Sequence, residues 1–142
     1  MKRRPADPAQ AAGYSGTPLP RKLGIKPGHV VRLVDPPRDF PRTLGDLPEG
    51  ARVGAGGRGP ADLVIWFVRS GKDLARGIGP VAGAIGAGGL WIAWPKLGSP
   101  LASDLRESAV RDAALAAGLV DYKVCAIDAT WSGLKFARRK LS

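Results

Sequence analysis

Six consecutive apolar residues, Leu63-Val64-Ile65-Trp66-Phe67-Val68, stand between a glycine-rich stretch and the polar pair Arg69-Ser70. The run is short for a helix and has no polar alternation, so neither face of the strand it predicts can look into water. A strand of that kind belongs inside a parallel sheet with helices on both sides. Leu90-Trp91-Ile92-Ala93-Trp94, closed by Pro95, repeats the pattern. Between the two runs, Ser70 is placed to cap a helix from about Gly71 to Ile85, with Asp73 near its positive end.

The flanking segments extend this alternation. Leu19 to Leu23 predicts a short helical turn, and Gly24 to Gly28 a loop leading into a strand, His29 to Val34. Asp35-Pro36-Pro37 ends that strand, because proline lacks the N–H a sheet ladder requires. Arg38 to Leu47 has room for one short helix, and Ala51 to Val53 reads as a brief strand. A longer helix starts at Ser99-Pro100 or at Ser103, with Leu105, Ala109, Val110, Ala113 and Ala117 on one face and Gly118 as its stop. Two strands, Tyr122 to Ile127 and Leu134 to Arg138, close the chain through a turn over Asp128 to Gly133. The expected fold is α/β: a three-layer, Rossmann-like, mostly parallel sheet ending in an antiparallel C-terminal hairpin.

At 142 residues the chain suits one domain, expected over residues 17–138. Residues 1–16, polar and without periodicity, predict a flexible basic arm, and residues 139–142 a basic tail. Cys125 is the only cysteine and His29 the only histidine, so an internal disulfide is excluded and no metal-ligand spacing exists. Cys125 itself reads as a core residue. Pro5, Asp7, Pro8 and Gln10 stand where an export signal would need an apolar core, and glycines and Pro80 break up the uncharged stretch 77–94. The expectation is a cytoplasmic protein without membrane contact, and abundant Ala, Arg, Gly and Pro suggest a bacterial source.

The net charge of +10 raises the question of nucleic acid. Residues 1–16 and 138–142 hold six of the 22 basic groups and one of the 12 acids, leaving sixteen against eleven elsewhere. The remaining charge is spread along the chain, which favours a solvated basic face over a dedicated nucleic-acid site. Gly54-Ala55-Gly56-Gly57-Arg58-Gly59 matches the spacing of a dinucleotide loop, but that loop must open a helix, and here Pro60 and a strand follow.

The order of elements resembles a class I, Rossmann-type methyltransferase. Gly13-Tyr14-Ser15-Gly16-Thr17-Pro18-Leu19, Trp94-Pro95-Lys96 and the closing stretch from Gly118 to Phe136 resemble, more narrowly, a bacterial family known as a domain of unknown function, over residues 13–139. The methyltransferase resemblance implies a glycine-rich turn after the first strand, where backbone approaches S-adenosylmethionine, and two helix-strand repeats beside it. This chain has Val34-Asp35-Pro36-Pro37-Arg38 at that turn and only 26 residues between Asp35 and Asp62. No cofactor is therefore expected, and the resemblance points to a binding or regulatory module. An enzyme acting on a small anionic substrate and a nucleic-acid accessory protein are the alternatives.

Ligands of open parallel sheets bind beyond the carboxyl ends of the strands. Those ends carry Asp35, Arg69 and Ser70, Lys96 and Ser99, and Asp128, Thr130 and Trp131. The two carboxylates suit ribose or amine groups. Arg69, Lys96 and the N–H groups of the helix after Ser70 suit an anion, and Trp131 offers a flat apolar wall. The plainer alternative is that Asp35 and Asp128 cap turns while the two cations pair with them at the surface.

Overall fold

The computed structural model describes residues 17–55, 61–86 and 88–139. The expected arm, most of the glycine loop and the last three residues of the expected tail lie outside them. The elements are α1 (Leu19–Leu23), β1 (Val30–Val34), α2 (Phe40–Leu44), β2 (Arg52–Ala55), β3 (Leu63–Phe67), α3 (Gly71–Gly83), β4 (Leu90–Pro95), α4 (Glu107–Ala116), β5 (Leu119–Ala126) and β6 (Trp131–Arg138).

The six strands form one sheet in the order β2-β1-β3-β4-β6-β5. β2, β1, β3 and β4 run parallel, while β6 is antiparallel to both β4 and β5. Every residue of β3 and β4 is buried, as their uninterrupted apolar runs require. Alternate side chains go to opposite layers. Val64, Trp66 and Val68 join Leu74, Val110 and Ala114 on the side of α3 and α4, whereas Leu63, Ile65 and Phe67 join Leu23, Phe40 and Leu44 beneath α1 and α2. The fold is thus the expected α/β architecture: helices on both faces of a mostly parallel sheet that ends in an antiparallel hairpin.

Local chemistry explains most element ends. Ser70 Oγ accepts from the Asp73 N–H at 3.1 Å, the capping bond expected at the start of α3. Gly118, at φ +89°, stops the chain after α4 in a conformation that penalises any Cβ. Three element starts differ from expectation by three residues or more. α4 begins at Glu107, because Ser103 Oγ is engaged by the Leu105 N–H and the Asp104 carboxylate reaches away to the Gly71 N–H at 3.0 Å. β5 starts directly after Gly118, and β6 starts at Trp131, since the final turn needs only residues 127–130 once Asp128 organises it.

Between β1 and β3 the described residues hold only one helical turn, α2, and one strand, β2, which pairs with the outer side of β1. No helix among the described residues covers the α3/α4 side of β1, and Val30, Arg32 and Val34 are only half-buried there. Among the described residues no helix is long and apolar enough to cross a membrane.

Candidate functional site

Asp35 follows β1 with φ +53°, the only positive φ of a described non-glycine residue. Aspartate tolerates this left-handed turn better than most residues, and two prolines keep the chain from continuing as strand. The Arg69 guanidinium, just beyond β3, donates to the Asp35 carbonyl at 2.8 Å and lies 5.3 Å from the centre of the Trp131 ring. Trp131 is held edge-on by Phe67 at 5.1 Å, and Phe67 in turn by Phe40 at 4.8 Å. Three expected site residues, Asp35, Arg69 and Trp131, therefore meet at the carboxyl end of the sheet around one bond.

The other candidates are bound up in backbone contacts. Asp128 Oδ1 accepts from the N–H groups of both Thr130 and Trp131 at 2.8 Å, a turn-capping role. The Lys96 N–H donates to the Thr130 carbonyl at 2.7 Å, and Ser99 Oγ donates to the Lys96 carbonyl at 2.8 Å. The N-terminus of α3 is also engaged: Ser70 Oγ holds the Asp73 N–H and Asp104 holds that of Gly71. Two N–H groups expected to be open to an anion are thus satisfied by the chain's own oxygens.

An open cleft of about 560 Å³ lies beside Asp35, where the α3/α4 side of β1 lacks a covering helix. Asp35 and Pro36 form one wall, Arg69, Arg76 and Pro80 the other, with Trp66 at the base. Gly77 lets α3 approach this base: a Cβ there would lie 2.5 Å from the Trp66 ring. Ser70, Lys96, Ser99, Asp128, Thr130 and Trp131 are not among the cleft walls, so the candidates divide into a cleft pair, Asp35 and Arg69, and a group of six outside it.

Sequence reasoning missed several organising residues. The Asp62 carboxylate accepts from the Val30 N–H at 2.8 Å while its own N–H donates to the Val30 carbonyl, clamping the start of β1 to β3. An acid immediately before a buried strand was the available signal. Arg76 is one of several charges on α3, and nothing local marks it. Lys135, only 8% exposed, is the one buried charged residue described, and its place between Leu134 and Phe136 was its signal. Among the described residues no group of three or more His, Cys, Asp or Glu side chains is arranged to hold a metal ion.

No protein-family model and no curated protein sequence matches the chain. Solved structures do share its fold. A SAM-dependent methyltransferase from Aquifex aeolicus superposes with a TM-score of 0.58 at 13% identity, covering 82% of this chain and 85% of that one. A ribosomal protein L11 methylase from Lactobacillus delbrueckii subsp. bulgaricus gives 0.57 at 12% identity, over 86% and 75% of the two chains. The Methanococcus jannaschii fibrillarin pre-rRNA processing protein gives 0.55 at 12% identity, over 89% and 71%. The chain has a methyltransferase-like, Rossmann-type fold.

Proposed function

We propose that this chain is a binding or regulatory module that keeps a methyltransferase-like fold without using S-adenosylmethionine. The observation that carries the reading is the turn after β1. Asp35-Pro36-Pro37 stands where the resemblance implies permissive glycines, and the Arg69 guanidinium ties the Asp35 carbonyl to the end of β3. Two rigid rings and a bonded side chain do not fit a cofactor that needs close backbone approach. The single helix-strand repeat between β1 and β3 removes further surface from the same region. The narrower resemblance of residues 13–139 to the bacterial family of unassigned function accords with this reading, because that family brings no activity with it.

The ligand role falls to the cleft, with Asp35 and Arg69 as its polar contacts and Arg76 as an added cation, while Ser70, Lys96, Ser99, Asp128, Thr130 and Trp131 shape the loops outside it. An enzyme acting on a small anionic substrate is the second reading, favoured by the two arginines in that wall. Thermal unfolding with added compounds tests both, since binding to the folded state raises the midpoint. S-adenosylmethionine and S-adenosylhomocysteine are expected to leave the midpoint unchanged, and a rise of several degrees with either overturns the proposal. A rise with nucleotides or sugar phosphates that Arg69→Ala abolishes, followed by turnover of that compound, establishes the second reading instead.

A further inference from the structure

The lysines that looked scattered along the chain converge on the α1 side of the β5–β6 hairpin. Lys123 Nζ donates to the Lys22 carbonyl at 2.9 Å, and Lys135 Nζ to the Leu23 carbonyl at 3.2 Å, so both reach the C-terminal end of α1. Lys123 and Lys135 stand opposite each other in the β5–β6 register. Burial first, and then the charges of Lys123 and Lys26, lower the Lys135 pKa from its ordinary value. Burial raises the neighbouring Cys125 thiol, while Lys22, Lys123 and Lys96 act on it in the opposite direction. Among the described residues, the charges acting on these two groups are all lysines.

A bulge in β5 produces this segregation. Asp121 and Lys123 are two residues apart and would share a face in a regular strand. The register shift between them sets Asp121 opposite Phe136 and Lys123 opposite Lys135. Asp121 consequently joins the α4 side, where its Oδ2 accepts from Arg111 Nε at 3.1 Å, and the lysine face is spared its charge. Tyr122, at the bulge, is 56% exposed, and its ring centre lies 5.8 Å from Lys135 Nζ. A fixed cation beneath an exposed aromatic ring, flanked by exposed Lys26 and Lys123, combines the two elements that hold unpaired nucleic acid: charge for phosphates and a flat surface for a base.

We propose that this face binds single-stranded nucleic acid, with Lys26 and Lys123 along the phosphates and Tyr122 stacking on a base. Lys135 contributes fixed positive potential from below. The exposed aromatic favours nucleic acid over an acidic protein segment, and among the described residues no helix projects from this face to enter a duplex groove. The site is on the opposite layer from the Asp35–Arg69 cleft, so it stands or falls separately from the proposed function.

The test is fluorescence anisotropy of the full chain with labelled oligothymidylate and oligouridylate of about 20 nucleotides across a salt series. With Lys26, Lys123 and the fixed charge of Lys135 engaged, the logarithm of affinity is expected to fall with the logarithm of salt at a slope near −2, at roughly −0.7 per phosphate neutralised. Lys26→Gln and Lys123→Gln each reduce that slope by about 0.7, and Tyr122→Ala weakens binding about tenfold with the slope unchanged while Tyr122→Phe restores it. Circular dichroism melts verify that each variant is folded. Absence of binding at low salt, or full retention by the Lys26→Gln/Lys123→Gln variant, overturns the proposal. So does loss of all binding on changing Lys2, Arg3 and Arg4 to glutamine, which would move the contact to the N-terminus. Equal competition by polyglutamate of matched charge would replace nucleic acid with an acidic protein partner.

Discussion

The guanidinium of Arg69 holds the backbone carbonyl of Asp35 at 2.8 Å, joining the end of β3 to the end of β1 across the edge at which parallel sheets receive ligands. A charged donor on a neutral acceptor contributes about 1.5–3 kcal/mol where it is shielded and less at an exposed site such as this one. Arg69→Ala is therefore expected to lower stability by about 1 kcal/mol, including its contact with Trp131. Asp35→Gly relieves the left-handed conformation and is expected to be neutral or stabilising by up to about 1 kcal/mol. Urea unfolding of the two variants checks both signs, and a clear loss in Asp35→Gly would show that the carboxylate has a structural partner.

Of the four buried tryptophans, Trp66 lies within β3 and Trp91 within β4, and Trp66 should also respond to a change next to it. Trp66→Ala and Trp91→Ala are each expected to cost about 3–5 kcal/mol through cavity formation, and Trp91 also donates its indole N–H to the Leu23 carbonyl at 2.8 Å. Gly77→Ala presses a methyl group against Trp66 and is expected to cost about 1–3 kcal/mol by overpacking. Gly83 has open space around its Cβ position, and Gly83→Ala should instead gain about 0.4–1 kcal/mol. Matching denaturation curves would decide the contrast: equal effects of the two glycine substitutions would mean that α3 does not sit against Trp66 as closely as described.

Cys125 is 6% exposed, and burial raises its thiol pKa, which keeps it in the unreactive protonated form. Native protein near pH 8 is expected to react with a disulfide reagent at least about tenfold more slowly than urea-unfolded protein. Comparable rates would place the thiol outside the core.

Lys135 makes stability depend on pH in a definite direction. Its pKa is lowered by burial, with Lys123 and Lys26 adding to the effect, so the unfolded chain binds this proton more tightly than the folded one. Stability must then rise with pH between the lowered value and the unfolded value near 10.5, and fall again as pH drops through that window. Lys135→Met removes the term. The difference in urea midpoint between the wild-type chain and this variant should shift in favour of wild type from neutral pH toward pH 10.5. A difference that stays constant over the range would show that the amine is not desolvated.

Much of the architecture was legible because it rests on local rules. Continuous apolar runs identify β3 and β4 as doubly buried, Ser70 announces α3, and Gly118 supplies the one conformation that stops the chain after α4. The missing second helix-strand repeat between Asp35 and Asp62 followed from chain length alone.

Other features depend on partners far away in the chain, and no local pattern encodes them. Asp104 leaves α4 to bind Gly71, which delays that helix to Glu107; Asp128 is spent on its own turn; Arg69 finds the carbonyl of a residue 34 positions earlier. The lysine face arises the same way, since a one-residue bulge sends Asp121 and Lys123 to opposite layers and brings Lys135 under Tyr122 and up to Leu23. The amino-acid sequence by itself determined which segments are strands or helices and which of them must be buried, because propensity, proline geometry and apolar periodicity act between neighbours. Only the tertiary structure decided which charges meet, because strand order and register bring together residues that neither propensity nor spacing connects.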